Sequence, residues 1–121
     1  MIFGAVVGLQ ARVLVAFRLP DHSEEVVEFV VDTGFEGQLA LPPDRVAALG
    51  LSRRGRILAN LADDSDVPIA VFRGVIVWAE NDLAVEVLAM GRRPLIGTEL
   101  LAGFNLSADF EEDGELIITP L

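Results

Sequence analysis

The chain has no cysteine, no lysine and no tyrosine, and its one histidine is His22. Without cysteine there is no disulfide framework, no thiolate nucleophile and no zinc–thiolate site. This fits a reducing compartment, and a cytoplasmic location is expected. A lone histidine excludes a histidine metal cluster within the chain. Without lysine there is no phosphate-loop lysine and no Schiff base. All nine basic residues are arginine, against nineteen acids, for a net charge of −10. Such a chain repels phosphate backbones, so no nucleic-acid partner is expected. No apolar run is long enough to span a bilayer, so no membrane partner is expected either. The segment MIFGAVVGLQA is apolar but lacks a basic flank and a clear small-residue cleavage site; it reads as a strand rather than a signal peptide.

What is present is strand chemistry. The chain is 52% apolar over 121 residues, enough for one domain, 1–121, with its own core. Leu9–Leu19 alternates around Val13, Val15 and Phe17 and predicts a half-buried strand. Pro20-Asp21-His22-Ser23 is turn chemistry, with His22 solvated, and Val26–Asp32 returns as the second arm of a hairpin. Leu39-Ala40-Leu41 is a short apolar strand. Pro42-Pro43-Asp44 opens a short helix that Gly50 closes. Three more hairpins are expected: Ile57–Leu61 with Val67–Phe72, Val75–Ala79 with Leu83–Ala89, and Phe104–Phe110 with Glu115–Thr119. Thr98 is placed as the N-cap of a second short helix through Leu101. The sum is a compact all-β, barrel-like domain with two short helices.

One strand ends unusually. Phe29-Val30-Val31 runs into Asp32-Thr33-Gly34. A lone buried carboxylate is costly, so it neutralises, finds donors or does chemistry. Far along the chain stands Leu95-Ile96-Gly97, followed by a helix carrying Leu100-Leu101. Together these motifs resemble the retropepsin-like aspartic proteases of clan AA, and most of all their small prokaryotic single-lobed branch. In that family an apolar strand delivers Asp-Thr-Gly into a tight turn. An apolar-apolar-Gly run passes beside it, just before a short helix. The likeness covers nearly the whole chain in element order.

The resemblance implies a single-lobe closed β-barrel whose Asp32 is the catalytic carboxylate of an aspartic endopeptidase. Gly34 would let backbone pack against that carboxylate, Thr33 would bond across a subunit boundary, and Gly97 would keep the neighbouring chain close behind the turn. The mechanism needs two carboxylates sharing one proton, one activating water and the other polarising the scissile carbonyl. The chain has one Asp-Thr-Gly, so the second Asp32 would come from a second copy in a homodimer. The expected partners are therefore a second copy and a peptide or protein substrate, with no cofactor and no metal. The apolar termini, Met1–Val7 and Leu116–Leu121, would pair between subunits. Ile57–Phe72 would form the flap over substrate, with Ala62, Asp63, Asp64 and Ser65 at its tip.

The chain departs from the family pattern at several points. The flap tip has no glycine. Phe35 follows the catalytic glycine where the family carries Ala or Ser, and its ring would either narrow the cleft or turn into the core. Retroviral members pair an Asp four residues past the catalytic one with an Arg after the second-motif glycine; here those positions hold Glu36 and Thr98. Bland readings exist for the remaining features. Asp63-Asp64-Ser65-Asp66 lacks the spacing, glycine and distal glutamate of a calcium loop and reads as an acidic hairpin tip. Arg53-Arg54-Arg56 reads as a solvated loop paired with carboxylates. Trp78 reads as core or dimer packing. Asp32-x-Gly34-x-x-Gly37 also opens sugar-kinase and actin-like sites, but those folds need far more chain. The stronger alternative is a non-catalytic dimerisation or peptide-binding module on the same fold.

Overall fold

The computed structural model describes residues 1–121. Ten strands and two helices follow one another as β1 (Ile2–Val7), β2 (Gln10–Arg18), β3 (Glu24–Val31), β4 (Leu39–Leu41), α1 (Pro43–Leu49), β5 (Ser52–Asn60), β6 (Asp66–Trp78), β7 (Asn81–Ala89), β8 (Leu95–Ile96), α2 (Thr98–Leu101), β9 (Phe104–Ala108) and β10 (Gly114–Pro120). The fold is all-β. The strands form one sheet in the order β5-β6-β7-β4-β8-β3-β2-β1-β10-β9. A further pairing of β2 with β6, Phe17 with Ile76 and Arg18 with Val75, bends six of them into a ring. Most neighbours are antiparallel, but β8 runs parallel to β3 and β4 runs parallel to β7.

Alternation decides what the ring encloses. Along β2 the buried positions are Ala11, Val13, Val15 and Phe17; along β3 they are Val27 and Phe29. Phe17 and Phe29 meet with ring centroids 6.2 Å apart. Leu39, Leu41, Ile76, Val87, Ile96, Leu116 and Ile118, none of them exposed to solvent, complete a single cluster. Each large side chain buried there contributes about 1.5–3 kcal/mol. Trp78 is a core residue, nearly buried, with Phe104 edge-on at 5.8 Å. Helix α1 forms as its punctuation predicts: Pro43 opens it and Gly50, at φ +67°, caps it by donating its N–H to the Ala47 carbonyl.

Four expectations need correction. Residues 66–78 form one thirteen-residue strand, not two. Gly74, in the gap between the expected strands Val67–Phe72 and Val75–Ala79, lies within it, with the Phe17 ring edge 3.2 Å from where a Cβ would stand. The segment MIFGAVVGLQA is not a single strand: β1 and β2 are joined within it at Gly8-Leu9, both in the left-handed region, and pair as a hairpin. Thr98 is not a cap but the first helical residue, with Gly97 preceding it and no side-chain cap bond. The termini pair with each other inside one chain, Ile2 with Ile118 through Val6 with Gly114. With β2 on its other side, β1 has no free edge. The unpaired edges are β5 and β9. No helix is long and apolar enough to cross a membrane.

Candidate active site

Asp32 is the first residue after β3, and the turn it opens is wired through backbone. Its N–H donates to the Ile96 carbonyl at 2.9 Å, and its own carbonyl accepts the Phe35 N–H at 3.1 Å. Its Oδ1 accepts the Gly34 N–H at 2.9 Å. The carboxylate is therefore half-buried and oriented by a backbone donor, not left loose at a strand end.

The second motif supports this turn from behind. Val30 and Val31 of β3 lie against Leu95 and Ile96 of β8. Leu39 of β4 pairs with Ile96 from the other side. The chain then passes so close to the loop after Asp32 that a Cβ on Gly97 would stand 2.1 Å from the Gly37 carbonyl oxygen and 2.6 Å from that of Phe35. Three N–H donors tie the segments together: Gly97 to Gln38, Thr98 to Phe35 and Glu99 to Gly37. Steric demand for glycine is thus concentrated at Gly97. At Gly34 a Cβ would meet Asp32 Oδ1 at 3.2 Å, which is tight but not forbidding. Thr33 is exposed.

Phe35, Glu36 and Thr98, where the sequence differs from the pattern it resembles, each have a defined local setting. Phe35 neither enters the core nor stands free. It is half-buried, with its ring folded over its own loop, in contact range of the Cα positions of Gly37 and Gly97. Glu36 is exposed and makes no ion pair. In the arginine's place, Thr98 bonds loop backbone through its N–H, at 2.8 Å from the Phe35 carbonyl oxygen.

The expected flap is the hairpin of β5 and β6, longer than read from sequence, with its tip at residues 61–65. The tip closes without glycine. Leu61 N–H donates to the Ser65 carbonyl, Asp64 N–H to the Leu61 carbonyl, and Ser65 N–H to Asp63 Oδ1. Asp64 takes the left-handed conformation at φ +67°, which aspartate tolerates better than most side chains. The same device closes β2 and β3. Leu19 N–H bonds the Ser23 carbonyl, His22 N–H the Leu19 carbonyl, and Ser23 N–H Asp21 Oδ1, with His22 at φ +69°. The shared signal is Leu-x-Asp-x-Ser, present as LPDHS and LADDS. It was the readable sign of the tip's geometry.

Hydrogen bonds from the Ser65 hydroxyl and N–H hold the Asp63 carboxyl below its ordinary range. A lowered folded-state value means that this bonding supports the tip above the usual aspartate range and is lost as pH falls through the lowered value. Asp63→Ala removes it at any pH. Faster amide hydrogen exchange is expected across residues 61–65, with the core strands β2 and β3 unchanged. Unaltered exchange at the tip would mean that the Asp63–Ser65 bonds do not hold it. The tip's apolar flanks, Ile57, Leu58, Leu61 and Val67, are all exposed in the single chain.

Asp32 does not line the cleft beside the β2–β3 turn and the base of the long hairpin, nor the two others that run along Gln38–Glu99 and Phe3–Glu28. A single copy presents a half-buried Asp32 whose carboxylate is oriented by the Gly34 N–H. Compared with known proteins, the chain matches no protein-family model and no curated protein.

Proposed function

We propose that the chain is an aspartic endopeptidase of retropepsin type that works as a homodimer, with Asp32 from each copy at the shared site. The observation that carries this reading is the packing of Leu95-Ile96-Gly97 behind Asp32-Thr33-Gly34. Two motifs far apart in sequence meet at one carboxylate, and the side chain at 97 must be absent for them to meet. In the proposed site one Asp32 oxygen stays on the Gly34 N–H. The other carboxylate edge faces the partner's carboxylate, and one proton is shared between the two. The ionised member takes a proton from water as that water attacks the scissile carbonyl. The protonated member donates to the carbonyl oxygen, giving a tetrahedral diol. Collapse of the diol then expels the amine, which leaves with a proton from the dyad. The β5–β6 hairpin covers substrate, and its exposed apolar flanks gain burial when it closes.

The dimer in this reading is built through β9 rather than through the termini. Asp109 N–H donates to the Glu115 carbonyl and Leu121 N–H to the Gly103 carbonyl. That alternation turns the backbone of Asn105 and Ser107 toward β10 and leaves that of Phe104, Leu106 and Ala108 on the open edge. The edge FNLSA has no charge, no proline and no bulge, the devices that keep strand edges apart. The opposite edge, β5, carries three arginines and a bulge. An antiparallel β9–β9 pairing would be two-fold symmetric. Light scattering is expected to report twice the 13.0 kDa chain mass. The exposed Asn105 and Ser107, changed to Asp together, would set like charges across that pair and shift the protein toward monomer. A wild-type monomer at every concentration would remove both the dimer and the paired site.

The activity itself is tested by incubating the protein with a mixed peptide library and reading new termini by mass spectrometry, from acid to neutral pH. Cleavage that depends on Asp32 supports the reading. An intact library, with a proven dimer, would leave the fold as a peptide-binding module.

A further inference from the structure

Arg53, Arg54 and Arg56 are not a loop paired with carboxylates. They lie in β5, exposed, and none of them makes an ion pair; the chain's ion pairs are Arg12–Glu28, Arg18–Glu24 and Arg18–Asp82. Arg73 of β6 has none either, although Glu86 is its cross-strand neighbour on β7. Arg45, Arg92 and Arg93 make no ion pair either, so it is the placement of Arg54 and Arg73, not their lack of a partner, that needs a reason.

The ladder supplies one. Ser52 pairs with Arg73 and Arg53 with Phe72, but the next pair is Gly55 with Val71. Arg54 is the extra residue of a β-bulge, and a bulge re-aims a side chain out of strict alternation. The result is that Arg54 and Arg73 line the same two adjoining clefts. The first has a volume of about 540 Å³ and is also walled by Arg18, His22 and Ser52. Arg18 is held there by Asp82, its Nε 2.6 Å from Oδ1, and by Glu24. Those contacts raise its already high pKa further and compensate its charge. Arg54 and Arg73 make no ion pair, although Glu86 and Glu99 line the second cleft with them, and both also line the first, where the one carboxylate, Asp82, is taken by Arg18. Leu51, Pro20 and Val75 give the cleft an apolar wall.

We infer that this cleft binds a small molecule through an oxyanion, phosphate or carboxylate, gripped by the guanidinium groups of Arg54 and Arg73. Guanidinium forks match such oxyanions in geometry and charge. The cleft's volume is in the range of small-ligand sites. Asp32 is not part of its lining, so the site stands or falls independently of proteolysis.

The probes are inorganic phosphate and citrate, titrated at constant ionic strength while Tm and heat are recorded, because screening alone shifts stability. A saturable signal is expected with at least one of them; phosphate alone identifies a phosphate ligand, citrate alone a carboxylate. Arg54→Gln and Arg73→Gln are each expected to weaken that binding about tenfold or more, the scale of one lost charge-assisted hydrogen bond. Arg53→Gln, at a residue lining neither cleft, is expected to leave it unchanged. These side chains are exposed, so the variants should fold, and each Tm without anion checks this. No saturable signal from either anion, or an equal loss in Arg53→Gln, would overturn the proposal.

Discussion

The Asp32→Asn protein is expected to fold, to dimerise as well as the parent or better, and to cleave nothing. The substitution keeps the side chain's shape and an oxygen to accept the Gly34 N–H. The turn around Asp32 hangs on backbone bonds to Ile96 and from Phe35, which the change does not touch. What is lost is the group that takes the proton from water and the one that holds the shared proton. Removing acid–base catalysis alone costs on the order of 10²–10⁴ in rate, and here both partners of the dyad would be replaced at once. Dimerisation should improve most above neutral pH, where two facing carboxylates would otherwise repel. Peptide turnover and sedimentation of the two proteins, compared at the same pH, separate these effects. A peptide-binding module would keep its ligand affinity through the change. Turnover at the parental rate by Asp32→Asn would falsify the assignment of Asp32.

Gly97→Ala is expected to be the most damaging single-methyl change near the site. The added carbon would stand 2.1 Å from one carbonyl oxygen and 2.6 Å from another, with the Phe35 ring at 2.7 Å. Two of the three are backbone atoms that cannot rotate away. Either the loop 35–37 lifts, breaking the bonds from Gly97, Thr98 and Glu99, or β8 withdraws from β3. The cost should reach ~3 kcal/mol or more, the upper end of ordinary substitutions. That is a large share of the roughly 5–15 kcal/mol that holds a domain folded. Gly34→Ala, with its one contact at 3.2 Å, should cost clearly less. Urea denaturation of the two variants gives the comparison; equal stabilities would mean that the close approach at Gly97 is not what fixes the turn.

These two glycines also illustrate what was legible in the sequence. The pairing of an apolar strand ending in Asp32 with a distant Ile96-Gly97 could be read because both are local patterns. Which glycine carries the steric burden could not, because that depends on carbonyls of residues 35 and 37 brought in by the fold. Helix α1 was legible for the same local reason, with Pro43 and Gly50 at its ends. The β1–β2 turn was not: Gly8 is present, but Leu9, at φ +60°, stands at the second turn position where Gly usually announces such a turn. The continuity of β6 through Arg73-Gly74 was not legible, because a glycine in a strand and one in a turn look alike until Phe17 is seen against it. The termini were apolar, and sequence could not say whether their partner strand would be each other or another chain. For the arginines of β5, the bulge that turns Arg54 toward Arg73 is a property of register, which composition does not carry.

The proposed site needs Asp32 from two chains. Mixing wild-type and Asp32→Asn subunits, unfolded and refolded together in varied ratio, tests it most directly. If each site needs both carboxylates, activity per total protein falls as the square of the wild-type fraction, to roughly one quarter in an equal mixture with random pairing. A linear fall, to roughly one half under the same pairing, would contradict the account, because each Asp32 would then be working without the other.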